Sequence, residues 1–224
     1  MSSTNKDAGA SPASPTRRAK KLLAPSVKYE IFLQLVRGET TINQAAEAAG
    51  VDLYVHAPYI VNVATTNNRI RIPSRKFLQQ YLHAAAEIGA AGVIVHGGHV
   101  LKDDDPAKGF DNWRKCIDGL EMPVPLLIEN TAGGENAMAR HLERIAGVWE
   151  AVSAAEGAEQ VGFCLDTCHA WAGGIELGTA VEKVLAITGR LDLVHANDSR
   201  DAFDSGADRH TNFGSGKNPW FSIN

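Results

Sequence analysis

The chain has 224 residues, 44% hydrophobic and 21% charged, an ordinary globular composition with enough apolar mass for a real core. No run approaches the ~18 consecutive apolar residues of a membrane span, and Met1 to Arg18 carries no apolar stretch of the secretory kind. The net charge of −4 hides an asymmetry, with six Lys/Arg against two Asp/Glu in residues 1–30 (+4) and sixteen against twenty-four in the remainder (−8), so a polyanionic partner needs a local basic patch. The three cysteines, Cys116, Cys164 and Cys168, are too few for a disulfide scaffold or a Cys-built zinc finger and suit a reducing compartment.

In chain order, residues 1–25 are rich in Ser, Ala, Pro and Lys without an apolar period and are expected to form a disordered tail. Ser26 is placed to cap a helix ending at Gly38, and Thr41 to cap a second, Ala-rich helix ending near Gly50. These two helices, residues 26–52, resemble the first two of a transposase-type helix-turn-helix, but the third element that would enter DNA does not follow. From residue 53 a unit of short apolar strand, polar loop and amphipathic helix recurs. Strands are predicted at Leu53–Ala57, Gly92–Gly97, Val124–Asn130, Val161–Asp166 and Leu191–Asn197. Helices are expected from Ser74 through Ile88, from Asp105-Pro106 through Leu120, from Met138 through Val152, and from Leu177 to Gly189. Alternating units of this kind imply a parallel sheet, either doubly wound or a (β/α)₈ barrel.

The strands end alike: YVH56, VIVH96, LLIE129, FCLD166 and LVH195 each finish on a side chain able to bind metal. In parallel βα folds the carboxyl ends of the strands form one mouth, so these five residues converge there, with His169, Asp208 and His210 just beyond. Imidazole nitrogen and carboxylate oxygen both suit zinc, and paired zinc ions serve phosphoester hydrolysis. His83 and His141 fall inside helical patterns and are set aside. His99 is a neighbour of the site, Cys164 and Cys168 suit packing, and the pairs Gly97-Gly98, Gly133-Gly134 and Gly173-Gly174 either approach phosphate or make turns.

The motifs HAPYIVNVA, VIVHGGH, IENTAGG, CLDTCHAWAGG, HANDS and DRHTNFGSG, in that order over residues 53–218, resemble the endonuclease IV family of apurinic/apyrimidinic endonucleases. The resemblance implies a TIM barrel with three zinc ions that cuts duplex DNA 5′ to an abasic site, leaving a 3′-hydroxyl and a 5′-deoxyribose phosphate. It implies that His56 and His96 hold one zinc, that Glu129 bridges it to a second held by Asp166 and His195, and that His169, Asp208 and His210 bind the third. Glu129 thereby joins the metal set to the catalytic step. Tyr59 and Ile60 match the loop that wedges into the base stack, and Arg69, Arg71, Arg75 and Lys76 form the basic patch for phosphates. Abasic duplex DNA is the implied partner, with no nucleotide cofactor and no membrane, in the bacterial cytosol or nucleoid; oligomeric state stays open.

The chain departs from that pattern in showing five strands where a barrel needs eight. The family's first two strands and its last are not readable, and with the last goes a C-terminal Glu that completes the second zinc site; NPWFSIN stands there instead. Two other readings follow: an inactive remnant that at most binds DNA, and a metal-dependent sugar isomerase of the xylose-isomerase-like barrel type, whose ions are held mostly by carboxylates.

Overall fold

The computed structural model describes residues 24–219. The tail expected over residues 1–25 lies outside them except at its last two positions, where Pro25 already opens a helix. The chain divides into two compact units, Met1–Val51 and Asp52–Asn224.

In the first unit, α1 (Pro25–Val36) begins on proline, whose fixed φ and missing N–H suit a first helical position. The cap expected from Ser26 is not made: Ala24 is the N-cap residue and Ser26 lies within the first turn. Helix α2 (Ile42–Ala49) has the cap expected from Thr41. The Thr41 hydroxyl accepts from Gln44 N–H at 3.3 Å and the Gln44 side chain accepts from Thr41 N–H at 2.9 Å, a reciprocal capping box. Gly50, at φ 66°, closes the helix in the left-handed region, and the next element is a strand.

The second unit is an incomplete TIM barrel. Its sheet has five parallel strands in sequential order: β1 (Tyr54–His56), β2 (Gly92–His96), β3 (Leu126–Glu129), β4 (Val161–Asp166) and β5 (Leu193–His195). β4 spans its expected segment in full, and the other four fall inside theirs, shortened at one or both ends. Between them run α3 (Asn68–Glu87), α4 (Pro106–Ile117), α5 (Leu142–Ser153), α6 (Thr167–Ala172) and α7 (Leu177–Thr188). A second sheet pairs β6 (Asp198–Ser199) antiparallel with β7 (His210–Thr211). Among the described residues no helix is long and apolar enough to cross a membrane.

Strand side chains alternate between faces. Val93, Val95, Leu126 and Ile128 point outward into the main core, where they meet Leu78 and Leu82 of α3, Trp113 and Ile117 of α4, and Val148 and Val152 of α5. Phe163 and Leu165 of β4 pack with Ile145, Ala180 and Val184. The opposite face carries Ile94, Leu127 and Cys164, flanked by Tyr54 and Leu193, as the layer inside the barrel wall.

Two helix starts differ from expectation. Helix α3 begins at Asn68, six residues before Ser74, because the Asn67 side chain caps it by accepting from Arg69 N–H at 3.0 Å. Ser74 is instead buried inside the helix, where its hydroxyl accepts from Asn62 N–H at 3.0 Å. Met138 lies in the core, but α5 begins only at Leu142, with His141 at the N-cap position.

Candidate metal centre

Register brings the strand ends together. His96 pairs with Glu129 across β2 and β3, and Asp166 with His195 across β4 and β5. Glu129 is 1% exposed, and four imidazoles surround its carboxylate. His56 Nε2 lies 2.8 Å from Oε2 and His195 Nδ1 2.9 Å from Oε1, while His96 Nε2 and His169 Nδ1 each stand at 3.4 Å.

Beyond β4, the Asp166 side chain caps α6 by accepting from His169 N–H at 2.8 Å, so one carboxylate both starts the helix and aims its histidine. Farther along, His169 Nε2 is 3.1 Å from Asp208 and 3.2 Å from His210 Nε2. Two imidazole nitrogens facing each other beside a carboxylate need a proton or a cation between them. The eight ligands expected from the sequence lie close together, and the groupings His56–Glu129–His195, His96–Glu129–His169, Asp166–Cys168–His210 and His169–Asp208–His210 each bring three donors within reach of a single ion; of these only His169–Asp208–His210 coincides with a set expected from the resemblance.

The donor chemistry fits metal. His56 donates Nδ1–H to the Ala57 carbonyl at 2.7 Å, and His169 donates Nδ1–H to the Asn130 carbonyl at 2.8 Å. A carbonyl only accepts, so in the neutral ring each Nε2 carries the lone pair, which is the tautomer a metal-binding histidine needs.

Without metal the cluster balances its charges through protons. Burial opposes ionisation of Glu129, but hydrogen bonds from His169, His195 and His56 outweigh it and hold the carboxyl far below its ordinary range. Burial likewise opposes the charged His169, yet Asp208 and Glu129 push it up to about 10. The hydrogen bond to Glu129 raises His56, burial lowers His96, and His169 holds Asp208 below the usual carboxylate range.

Several supporting residues had no motif to announce them. Asn130 ties two strand ends together, accepting from Asp166 N–H at 2.7 Å and donating to the Asp166 carbonyl at 3.0 Å. Asn197 donates to Asp166 Oδ2 at 2.5 Å, and the Thr167 hydroxyl donates to the Asn197 carbonyl at 2.6 Å. Trp113 donates its indole N–H to the carbonyl of Gly97, one residue after His96, at 2.9 Å. The small amides sit inside the quoted motifs IENT and HAND, which was the available signal.

Beside the cluster lies a cleft of about 620 Å³ lined by Tyr59, His96, His99, Lys102, Gly133 and Asp208, among others. Tyr59 and Ile60 are 79% and 77% exposed, with the Tyr59 ring edge-on to His96. Of the four basic residues on α3, Arg69 and Lys76 are exposed. Arg71 and Arg75 instead turn to α4, Arg71 to the Asn112 side chain and Arg75 to the Asn112 carbonyl at 2.9 Å. His83 faces Glu121 at the surface, and His99 accepts from the Asn62 side chain at 3.1 Å.

Known proteins resemble this chain in sequence and fold. The description of the xylose isomerase-like TIM barrel family matches residues 23–224. A curated relative named "Probable endonuclease 4", from Mycobacterium ulcerans, is 58% identical over 171 residues, covering 76% of this chain. The chain spans 66% of that relative's length, just under two thirds. The crystal structure of endonuclease IV from Thermus thermophilus superposes with a TM-score of 0.62 at 28% identity, over 92% of this chain and 71% of that one. A D-tagatose 3-epimerase-like protein superposes at 0.66 with 20% identity, over 89% and 70%, and shows the shared fold alone. On these matches and on its strand-end cluster, the chain belongs to the xylose isomerase-like TIM barrel family, within its endonuclease IV group.

Proposed function

We propose that this chain is a zinc-dependent DNA repair endonuclease that hydrolyses the phosphodiester 5′ to an abasic site, leaving a 3′-hydroxyl and a 5′-deoxyribose phosphate. The observation that carries the reading is the buried Glu129 carboxylate with four imidazoles within 3.4 Å. His56, His96 and Glu129 are assigned to one ion, Glu129, Asp166 and His195 to a second, and His169, Asp208 and His210 to a third. Three protein donors per ion is the number that leaves a coordination position for water or phosphate. When bound, zinc supplies hydroxide at neutral pH and neutralises charge developing on the phosphate.

The chain's own groups do the rest. Glu129 offers one oxygen to the His56 and His96 side and the other to the His195 and His169 side, so one buried charge would serve two ions. Tyr59 and Ile60, solvent-exposed apolar side chains at the rim, are assigned to wedge into the duplex, which costs least where a base is already missing. Arg69 and Lys76 are assigned to phosphate contact; Arg71 and Arg75, tied to Asn112, add positive potential behind them. Five histidines against three carboxylates is a softer donor set than the carboxylate-held pair of ions in sugar isomerases, which disfavours that reading.

Incision of a duplex carrying one abasic site tests the proposal. The purified chain with zinc is expected to cut 5′ to the lesion, and the cutting is expected to vanish with strong chelation and in His169→Ala. A chain that binds zinc but leaves the duplex whole overturns it in favour of an inactive remnant, and turnover of a ketose with manganese in place of cutting would favour the isomerase.

A further inference from the structure

Asp208 and His210 do not stand on the barrel strands. They lie at the end of an arm, residues 200–210, that leaves β6 and returns as β7, two strands of two residues each. Strands so short cannot set the arm's position by themselves, yet it must place two donors to within a fraction of an ångström of His169 if the three are to share an ion. Its anchors lie elsewhere. Asp204 N–H donates to the Trp171 carbonyl at 3.0 Å and Gly206 N–H to the Ala172 carbonyl at 2.8 Å, so the arm satisfies carbonyls in the last turn of α6, the helix that carries His169.

Across the arm stands Arg140, just before α5. Its side chain is only 8% exposed; it donates to Asp204 Oδ1 at 2.8 Å and to Glu135 at 3.2 Å, and its Nε–H is buried with no hydrogen-bond partner. A buried guanidinium with a donor left over is a cost that packing alone does not explain. Asp204, which receives it, has φ 57° and is the sole non-glycine residue with positive φ among those described. Strained backbone persists where surrounding contacts overdetermine it, and it concentrates at functional sites. The slot itself is cleared by glycine. A Cβ on Gly133 would fall 2.5 Å from the Gly206 carbonyl oxygen, and one on Gly174 would fall 2.7 Å from Asp204 Oδ1.

We propose that Arg140, through Asp204, is a positioning residue that clamps this arm and thereby sets the Asp208–His210 half of one metal site. The proposal rests on reading His169, Asp208 and His210 as a zinc set. It gives the glycines of the two loops a role in admitting the arm, in place of contact with phosphate.

The test is the number and affinity of zinc ions held by the full chain, measured by chelator competition, together with amide hydrogen exchange of residues 200–206 in the zinc-free protein. Arg140→Met is expected to hold one ion fewer than the parent, or to bind one ion about 10–100-fold more weakly, with the other ions unchanged and exchange in the arm accelerated. Gly133→Ala, which keeps the Arg140–Asp204 pair but pushes on Gly206, is expected to lose the same ion. Arg140→Lys restores a charge without the planar fork and is expected to recover part of the affinity. Should Arg140→Met fail to fold, Gly133→Ala and Asp204→Asn decide by the same criterion. Variants that hold every ion as tightly as the parent overturn the clamp while leaving the metal centre standing. A parent chain that holds no zinc overturns the metal centre and the clamp with it.

Discussion

Glu129 concentrates the electrostatics of the site in one residue. Replacing it by glutamine keeps the shape and removes the charge that four imidazoles share. The fold is expected to survive and the loss to appear in metal binding. Glu129→Gln is expected to weaken zinc binding by about 10–100-fold and to reduce incision by at least as much; competition against a chromophoric chelator measures the first. Undiminished zinc affinity would show that Glu129 is not a ligand. All eight candidate ligands were legible in the sequence, because each sits at a strand end or in a short polar motif after one. What the sequence could not show is which nitrogen each ring presents, since that is fixed by backbone carbonyls such as those of Ala57 and Asn130.

At the scale of elements, the βα units were legible because each long helix buries one face and each strand is a short apolar run between turn residues. Helix α6 was not, for a physical reason: every residue of Thr167–Ala172 but Trp171 is buried, so no amphipathic stripe exists to be read. The β6–β7 pair is shorter than any periodic signal, and α3 was cut short because Pro73-Ser74 imitates a helix start while the true cap, Asn67, stands among other polar residues. One side chain gathers much of the segment after β7. Asp198, fully buried, accepts from the N–H groups of Gly214 and Gly216 at 3.1 and 2.8 Å with one oxygen, and from Ser199 and Asn218 at 2.8 and 3.0 Å with the other. Hydrogen bonds to a charged, buried acceptor are the strong kind. Asp198→Ala is expected to destabilise the chain by about 2–4 kcal/mol, read from urea unfolding; a change below about 0.5 kcal/mol, the range of an ordinary surface site, would contradict it.

For the whole molecule, the cluster links stability to pH in a way that bound zinc is expected to reverse. Without metal, Glu129 and Asp208 titrate lower in the folded than in the unfolded chain, so their contribution is present above about pH 4.5 and lost as the pH falls through their depressed values. His169 is raised from 6.5 to about 10, so its contribution is complete below 6.5 and lost as the pH rises through about 10. The zinc-free protein is therefore expected to be most stable between about pH 4.5 and 6.5. Zinc competes with protons for the same nitrogens, so the stabilisation it adds is expected to grow as the pH rises from that window. Melting temperatures across pH, with zinc and with chelator, test both limbs. A zinc-free melting temperature that climbs steadily from 6.5 toward 10 would contradict the assignment of the proton to His169.

The three cysteines occupy three different layers: Cys116 on the core face of α4, Cys164 inside the barrel wall beside Glu129, and Cys168 in α6 next to the candidate ligands. All are free and buried, and burial pushes their thiols up, to about 12 for Cys116 and about 11 for Cys168. The nucleophilic form of sulfur is the thiolate, so the folded chain offers oxidants and alkylating agents almost nothing to attack. Sulfur chemistry belongs to its opened states, and oxidative damage at cysteine becomes a record of how often, and in which layer, the fold has come apart.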